Sequence, residues 1–144
     1  MNKNLPLSNI VVLDLTNVLS GPFATQILSD LGAEIIKVEK PNGDDSRKFG
    51  PFIKKRSSYF ISLNRGKKSI VVDFNNEEDK KIFKKLLAIS DVIIDNFKPG
   101  TLEKYGFSSS YLKKNFPLLI QTKISGFGET GPLKENPAYD MIVQ

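Results

Sequence analysis

Four short stretches carry the side chains with which this chain can do chemistry. The first is NVLSGP, Asn17 to Pro22, a polar turn between an apolar run and a helical pattern. Backbone N–H groups at the start of a helix favour negative charge, so this turn suits a phosphate or a developing oxyanion. Gly21 stands there without the other glycines of GxGxxG, which disfavours a standard dinucleotide site. An ordinary tight turn is the plain alternative. The second stretch, NRGKKS at 64–69, gathers Arg65, Lys67 and Lys68, which suit a phosphate or form a solvated hairpin tip. The third, DNFKPGTLEK at 95–104, sets Asn96 beside Phe97, a ring-stacking pair if exposed and a core turn if not. The fourth joins Gly126, Gly128 and Gly131 to PAYD, where Tyr139 and Asp140 open a helix; Asp140 is either a site residue or a cap.

Two residue types are missing altogether. With no Cys and no His, a thiolate nucleophile, a Ser-His-Asp triad and an imidazole or thiolate metal site are all excluded within these residues. Asp, Glu, Lys, Tyr, Ser and backbone groups remain, and no metal is expected. The formal charge of +5 fits an anionic partner or merely a Lys-rich surface. No long basic run with interleaved aromatics points to nucleic acid. Nothing approaches a membrane span, and the first residues, MNKNLPLSN, lack the apolar core of a leader, so a cytoplasmic location is expected.

The elements that must hold these stretches follow from the apolar pattern. Strands are expected at 10–15 and 34–39, around a helix at 22–31 with Pro22 first and Gly32 closing it. Residues 41–56 lack periodicity and read as a long functional loop. SSYFISL (57–63) and 69–74 read as two strands joined by the basic turn. A helix capped by Asn75 or Asn76 runs through 77–87 with Ile82, Phe83, Leu86 and Leu87 on one face. Further elements are a strand at 91–95, helices at 101–105 and 108–115, a strand at 118–124 and a helix beginning at 138–144. Alternating strands and helices make an α/β fold with a mostly parallel sheet, in one domain of 144 residues.

Taken together, LPLSNIVVLDLTNVLSGPFATQILSDLGAEIIKVEKPNGDDSR, YFISLNRGKKSIVVDF, DVIIDNFKPGTLEKYGF, SGFGETGPL and PAYD resemble the N-terminal part of the family III CoA-transferases (the CaiB/BaiF type). Formyl-CoA transferase and α-methylacyl-CoA racemase belong to that family. The resemblance implies a Rossmann-like large domain, truncated here, and coenzyme A as the bound substrate. It implies an acyl-CoA and a carboxylic acid acceptor as partners, with no nucleic acid and no membrane, and a homodimer of interlocked rings. Carried over, Lys40, Val72, Phe74, Asn96, Phe97 and Lys104 would bind CoA, with Arg47 a weaker phosphate candidate. Leu19, Ser20 and Gly21 would flank the thioester, with Tyr139 and Asp140 in the pocket. The family's nucleophilic Asp lies in a Gly-rich segment beyond Gln144, so these residues alone are expected to be inactive. Racemase-type members carry a His where this chain has Tyr139, which leans toward transferase. The alternatives are a racemase or epimerase of the same fold and a non-catalytic CoA-binding module.

Overall fold

A computed structural model describes residues 5–143, without the side chains of Asp140 and Val143. Met1–Asn4 and Gln144 lie outside the described residues. With them go the start of the stretch read as lacking a leader and the end of the last expected helix.

The chain runs β1 (Val11–Asp14), α1 (Ser20–Asp30), β2 (Glu34–Glu39), a 3-10 turn (Asp45–Lys48), β3 (Phe52–Ile53), β4 (Arg56–Ser57) and α2 (Ser58–Asn64). It continues β5 (Lys68–Val71), α3 (Glu77–Ala88), β6 (Val92–Asp95), α4 (Thr101–Lys104), α5 (Ser109–Asn115), β7 (Ile120–Lys123) and α6 (Asp140–Val143). Five strands form one parallel sheet in the order β5-β2-β1-β6-β7. β3 and β4 make a separate antiparallel ribbon. Among the described residues no helix is long and apolar enough to cross a membrane.

The period of two along a strand sorts the residues onto the two faces. Leu13, Leu15, Ile36, Val38 and Ile93 join Phe83 and Leu87 of α3, Leu102 of α4 and Leu112 of α5 in the larger core. Val12, Ile35 and Ile94 face the other way and pack with Leu28 of α1. Phe83 and Phe107 meet edge to face at 4.8 Å between centroids, a geometry worth about 0.5–1.5 kcal/mol beyond burial. The α/β reading therefore holds, with helices on both faces of the sheet.

Three expectations need correction. α1 begins at Ser20, two residues early, so Pro22 is its third residue. Pro is tolerated there because N–H groups of the first turn have no intrahelical partner. Gly32 does close the helix: at φ 105 its N–H reaches Ser29 O, and Ala33 N–H reaches Leu28 O. Residues 41–56 are not structureless, since they hold the 3-10 turn and the β3–β4 ribbon. SSYFISL is not a strand but α2. Ser57 Oγ accepts from Phe60 N at 3.0 Å, and Asn64 Nδ2 donates to Phe60 O at 2.9 Å. Burial at 59, 60, 63 and 64 then has helical spacing, and packing overrides the β-propensity of Tyr, Phe and Ile.

Candidate functional site

In a parallel sheet ligands gather outside the carboxyl ends of the strands, where the chain's winding reverses. Here the winding moves outward from β1 to β2 and β5, then returns to β6, so the reversal lies between β1 and β6. A cleft of about 180 Å³ opens at those ends. Leu15 and Asn17 reach it from β1, Val38, Glu39 and Lys40 from β2, Val72 and Phe74 from beyond β5, and Phe97, Thr101 and Tyr105 from beyond β6. Phe74 stacks on Tyr105 at 5.2 Å and 24°, leaving a flat aromatic wall beside the buried Val72. Such a wall takes a planar ring by stacking and apolar contact. Asn96 locks the two sides of the cleft together. Its Oδ1 accepts from Asn17 N and its Nδ2 donates to Asn17 O, both at 2.9 Å.

Lys40 lines the cleft, and Lys104 follows Thr101 on α4. Lys40 pairs with Asp45 at 2.8 Å, but both are about half exposed, so the pair is weakly held and open to exchange. Lys104, exposed at the end of α4, has no carboxylate within ion-pair distance among the described residues. Asp95, at the end of β6, is buried, and burial pushes its pKa up against a bond from Phe97 N–H at 3.1 Å.

The N-terminus of α1 is the second part of the site. Leu19 caps it without a side-chain hydrogen bond, and the first turn carries no acid. The amides of Ser20 and Gly21 are therefore free of intrahelical partners and able to face an anion. Val18 reaches this turn at φ 69, with its N–H 3.3 Å from Asp44 Oδ1. Gly21 sits against Thr16, whose Cβ would lie 2.2 Å from an added Cβ. Thr16 is fully buried and cannot step aside. Gly21→Ala is expected to destabilise by about 1–3 kcal/mol through this overpacking, read by urea unfolding. Gly100→Ala is no control for space alone, because nothing lies within 4 Å there but φ is 77.

Beneath the α1 terminus lies a buried ionic layer. β1 and β2 are in register at Asp14 and Lys37, so both side chains point to the α1 face at the strand ends. Asp14 accepts from Thr16 N at 2.9 Å, from Thr25 Oγ1 at 2.6 Å and from Lys67 Nζ at 3.1 Å. Lys37 Nζ donates to Thr16 O at 2.7 Å and lies 2.9 Å from Asp44 in an ion pair. Glu39 receives Arg47 through two bonds of 2.7 Å, with Asp44 N–H at 2.9 Å and the Ser69 hydroxyl also donating. Burial pushes the Glu39 carboxyl up, but these four donors outweigh it and hold the pKa at about 2.

The profile of CoA-transferase family III matches residues 7–144. The chain belongs to CoA-transferase family III. It is 49% identical over 140 residues to the acetyl-CoA:oxalate CoA-transferase of Acetobacter aceti, covering 96% of this chain and 36% of that protein. It is 45% identical over 144 residues to the succinyl-CoA:glutarate CoA-transferase of Homo sapiens, covering 99% of this chain and 33% of that protein. The chain thus spans about a third of the length of these relatives. The solved structure of a CaiB/BaiF family protein from Brucella suis superposes with a TM-score of 0.91 at 45% identity, over 97% of this chain and 38% of that one.

Within this family fold the residues singled out from sequence fall into separate places. Lys40, Val72, Phe74 and Phe97 line one cleft, and Asn96 braces it. Lys104 lies one residue before Tyr105 of the same wall. Leu19, Ser20 and Gly21 form the α1 terminus. Arg47 does not line the cleft but a second pocket, with Glu39 between them. Tyr139 is exposed, and the Asp140 side chain lies outside what is described. Gly126 lets the two last segments meet: an added Cβ would lie 2.1 Å from Ala138 Cβ. The basic turn at 64–69 joins α2 to β5 and is not a hairpin tip. Lys67 is buried on Asp14, Arg65 pairs with Asp30 at 2.6 Å and Lys68 with Glu34 at 2.6 Å. Sequence reasoning passed over Asp14, Lys37, Asp44 and Lys67 as a set. The signal available was a lone Asp and a lone Lys inside two apolar strands, where an unpaired charge is too costly to stand.

Proposed function

We propose that this chain is the coenzyme-binding part of an enzyme that moves CoA between an acyl-CoA and a carboxylic acid. The observation that carries this reading is the cleft at the carboxyl ends of the strands, an aromatic and aliphatic slot with Lys40 in its lining, and Lys104 stands one residue before Tyr105 of its wall. An adenine fits the Phe74–Tyr105 wall, and the phosphates of CoA suit exchangeable cations at its mouth. The thioester end then reaches Leu19, Ser20 and Gly21, where two N–H groups can stabilise the oxyanion of an attacked carbonyl. The nucleophile in this reading is an Asp carboxylate from beyond residue 144. It attacks the thioester carbon, the C–S bond breaks, CoA leaves as the thiolate, and an acyl–aspartyl anhydride remains for the acceptor acid. We further take the working form to be a homodimer of interlocked chains. The named acids of the relatives, oxalate and glutarate, each carry two carboxylates, and a small dicarboxylic acid is our reading of the acceptor here.

Two measurements test this. In the full-length protein, label from an acyl-CoA should pass to a second acid. Exchange of an α-proton with deuterium, without CoA transfer, would instead make the protein a racemase. In calorimetric titration, Lys104→Glu should weaken CoA binding by about 5- to 10-fold through repulsion of a phosphate at an exposed rim. Its unfolding free energy should stay within about 0.5 kcal/mol of the parent, as for surface substitutions generally. An unchanged CoA affinity in that variant removes Lys104 from the phosphate site.

A further inference from the structure

A second pocket, of about 470 Å³, opens between the 3-10 turn, the β3–β4 ribbon and α2. It is lined by Arg47, Lys55, Arg56, Ser57, Phe60 and Ile61, three cations and no acid. Arg47 gives its Nε and Nη2 to Glu39 and lies 3.7 Å over the ring of Phe60. Its Nη1 has no hydrogen-bond partner among the described residues. Lys55 and Arg56 are exposed and have no carboxylate within ion-pair distance among the described residues. This contrasts with Arg65, Lys67 and Lys68, each of which is paired.

The backbone adds a second observation. The two residues joining β3 to β4 are Lys54 and Lys55, at φ 48 and 64. Such a two-residue turn with both φ values positive favours Asn-Gly. Lysine at both positions is a strained choice for a turn alone. Position matters as well. Glu39 lines the CoA cleft and Arg47 lines this pocket, so their ion pair is the wall between the two cavities. Asp44, just before the 3-10 turn, also holds the Val18 amide next to the thioester loop.

We infer that this pocket receives the second carboxylate of a dicarboxylic acid, the one that does not exchange CoA. This rests on the reading of the protein as an enzyme of CoA transfer. Lys55 and Arg56 supply charge-assisted bonds to the carboxylate, the free Nη1 edge of Arg47 a third, and Phe60 and Ile61 cover the methylenes. A phosphate of CoA is the other anion that could fill it. A separate titration with CoA distinguishes that source.

The test uses the full-length protein and the Lys55→Gln/Arg56→Gln double variant, whose two positions are exposed. Glutarate binding is measured by calorimetry, valerate serves as the acid of equal length with one carboxylate, and CoA is titrated separately. The double variant is expected to bind glutarate on the order of 10- to 100-fold more weakly, the value of losing hydrogen bonds to a charged group. The glutarate-to-valerate ratio in kcat/KM should collapse with it, while CoA affinity stays within about twofold. Unchanged glutarate affinity overturns the inference, and so does a loss of CoA affinity in place of glutarate affinity, which makes the pocket a phosphate site. Glutarate binding that depends on the pair in a protein without CoA transfer sinks the transfer reading and leaves only the pocket as a dicarboxylate site. Transfer to glutarate that ignores the pair does the reverse.

Discussion

Lys67→Met is expected to lower the unfolding free energy by about 3–5 kcal/mol, against less than about 1 kcal/mol each for Arg65→Met and Lys68→Met. All three cations belong to one short basic stretch, and all three have a carboxylate partner. What separates them is water. Arg65–Asp30 is more than half exposed on both sides, and Lys68 is exposed as well. Their Coulomb attraction is screened, and holding long side chains in place offsets most of it. Lys67 is 1% exposed in its side chain and Asp14 0%. Its Nζ touches Asp14 Oδ2, Pro22 O, Thr25 Oγ1 and Asn64 Oδ1 at 2.7–3.1 Å, so β1, α1 and α2 converge on one ammonium. Burial pulls the Lys67 pKa below its usual range, and Asp14 pulls it partly back. Removing the cation leaves Asp14 charged and buried with only neutral donors, which is the expensive half of a buried pair. Urea unfolding of the three variants decides the matter, and three equal losses would falsify the assignment of Lys67 to a sealed site.

That contrast also marks how far the sequence could be read. β1, β2 and β6 stand out as apolar runs because both faces of a parallel sheet are covered. α3 is legible from its 3.6-residue period and from Asn76, whose Oδ1 accepts from Glu78 N at 2.8 Å. α2 is not legible. Seven residues rich in Tyr, Phe and Ile carry a strand's composition, and only the Ser57 cap and the packing of Phe60 under Arg47 settle the helix. Within the basic stretch nothing local tells which lysine turns inward, because the choice is made by Asp14, some fifty residues away in the chain. Asn96 and Phe97 stand out in their own turn, whereas Lys40, Val72 and Phe74 came from the resemblance alone. Val72, Phe74 and Phe97 look like core positions by pattern, and they become a wall only because three loops end at one edge of the sheet. Arg47 shows the opposite limit. The resemblance offered it as a weaker phosphate candidate, and nothing in the GDDSR loop told that a buried glutamate at the end of the preceding strand takes its fork.

That glutamate carries the second large effect, and it depends on pH. The Glu39 carboxyl titrates near pH 2 in the folded protein, against an ordinary value of 4.5. The folded state therefore binds its proton more weakly than the unfolded chain does. The resulting stability is fully present above about pH 4.5 and is lost as pH falls through 2. A gap of that size amounts to about 3 kcal/mol, at 1.36 kcal/mol for each pKa unit. Glu39→Gln is expected to remove about that much at pH 7 and to flatten the fall in stability between pH 4.5 and 2, so that the two proteins converge in acid. Asp44, also held below its usual range by Ser46 and Lys37 against its burial, leaves a residual slope in the variant. Urea unfolding at pH 7, 4, 3 and 2 reads the difference, and parallel curves at all four values would mean that Glu39 contributes no pH-linked stability. The same variant should disturb both cavities, because it weakens the wall they share. With the carboxylate gone, Arg47 keeps its charge but loses the acceptor that turns its fork away from the second pocket, and added affinity there for small anions is the expected sign.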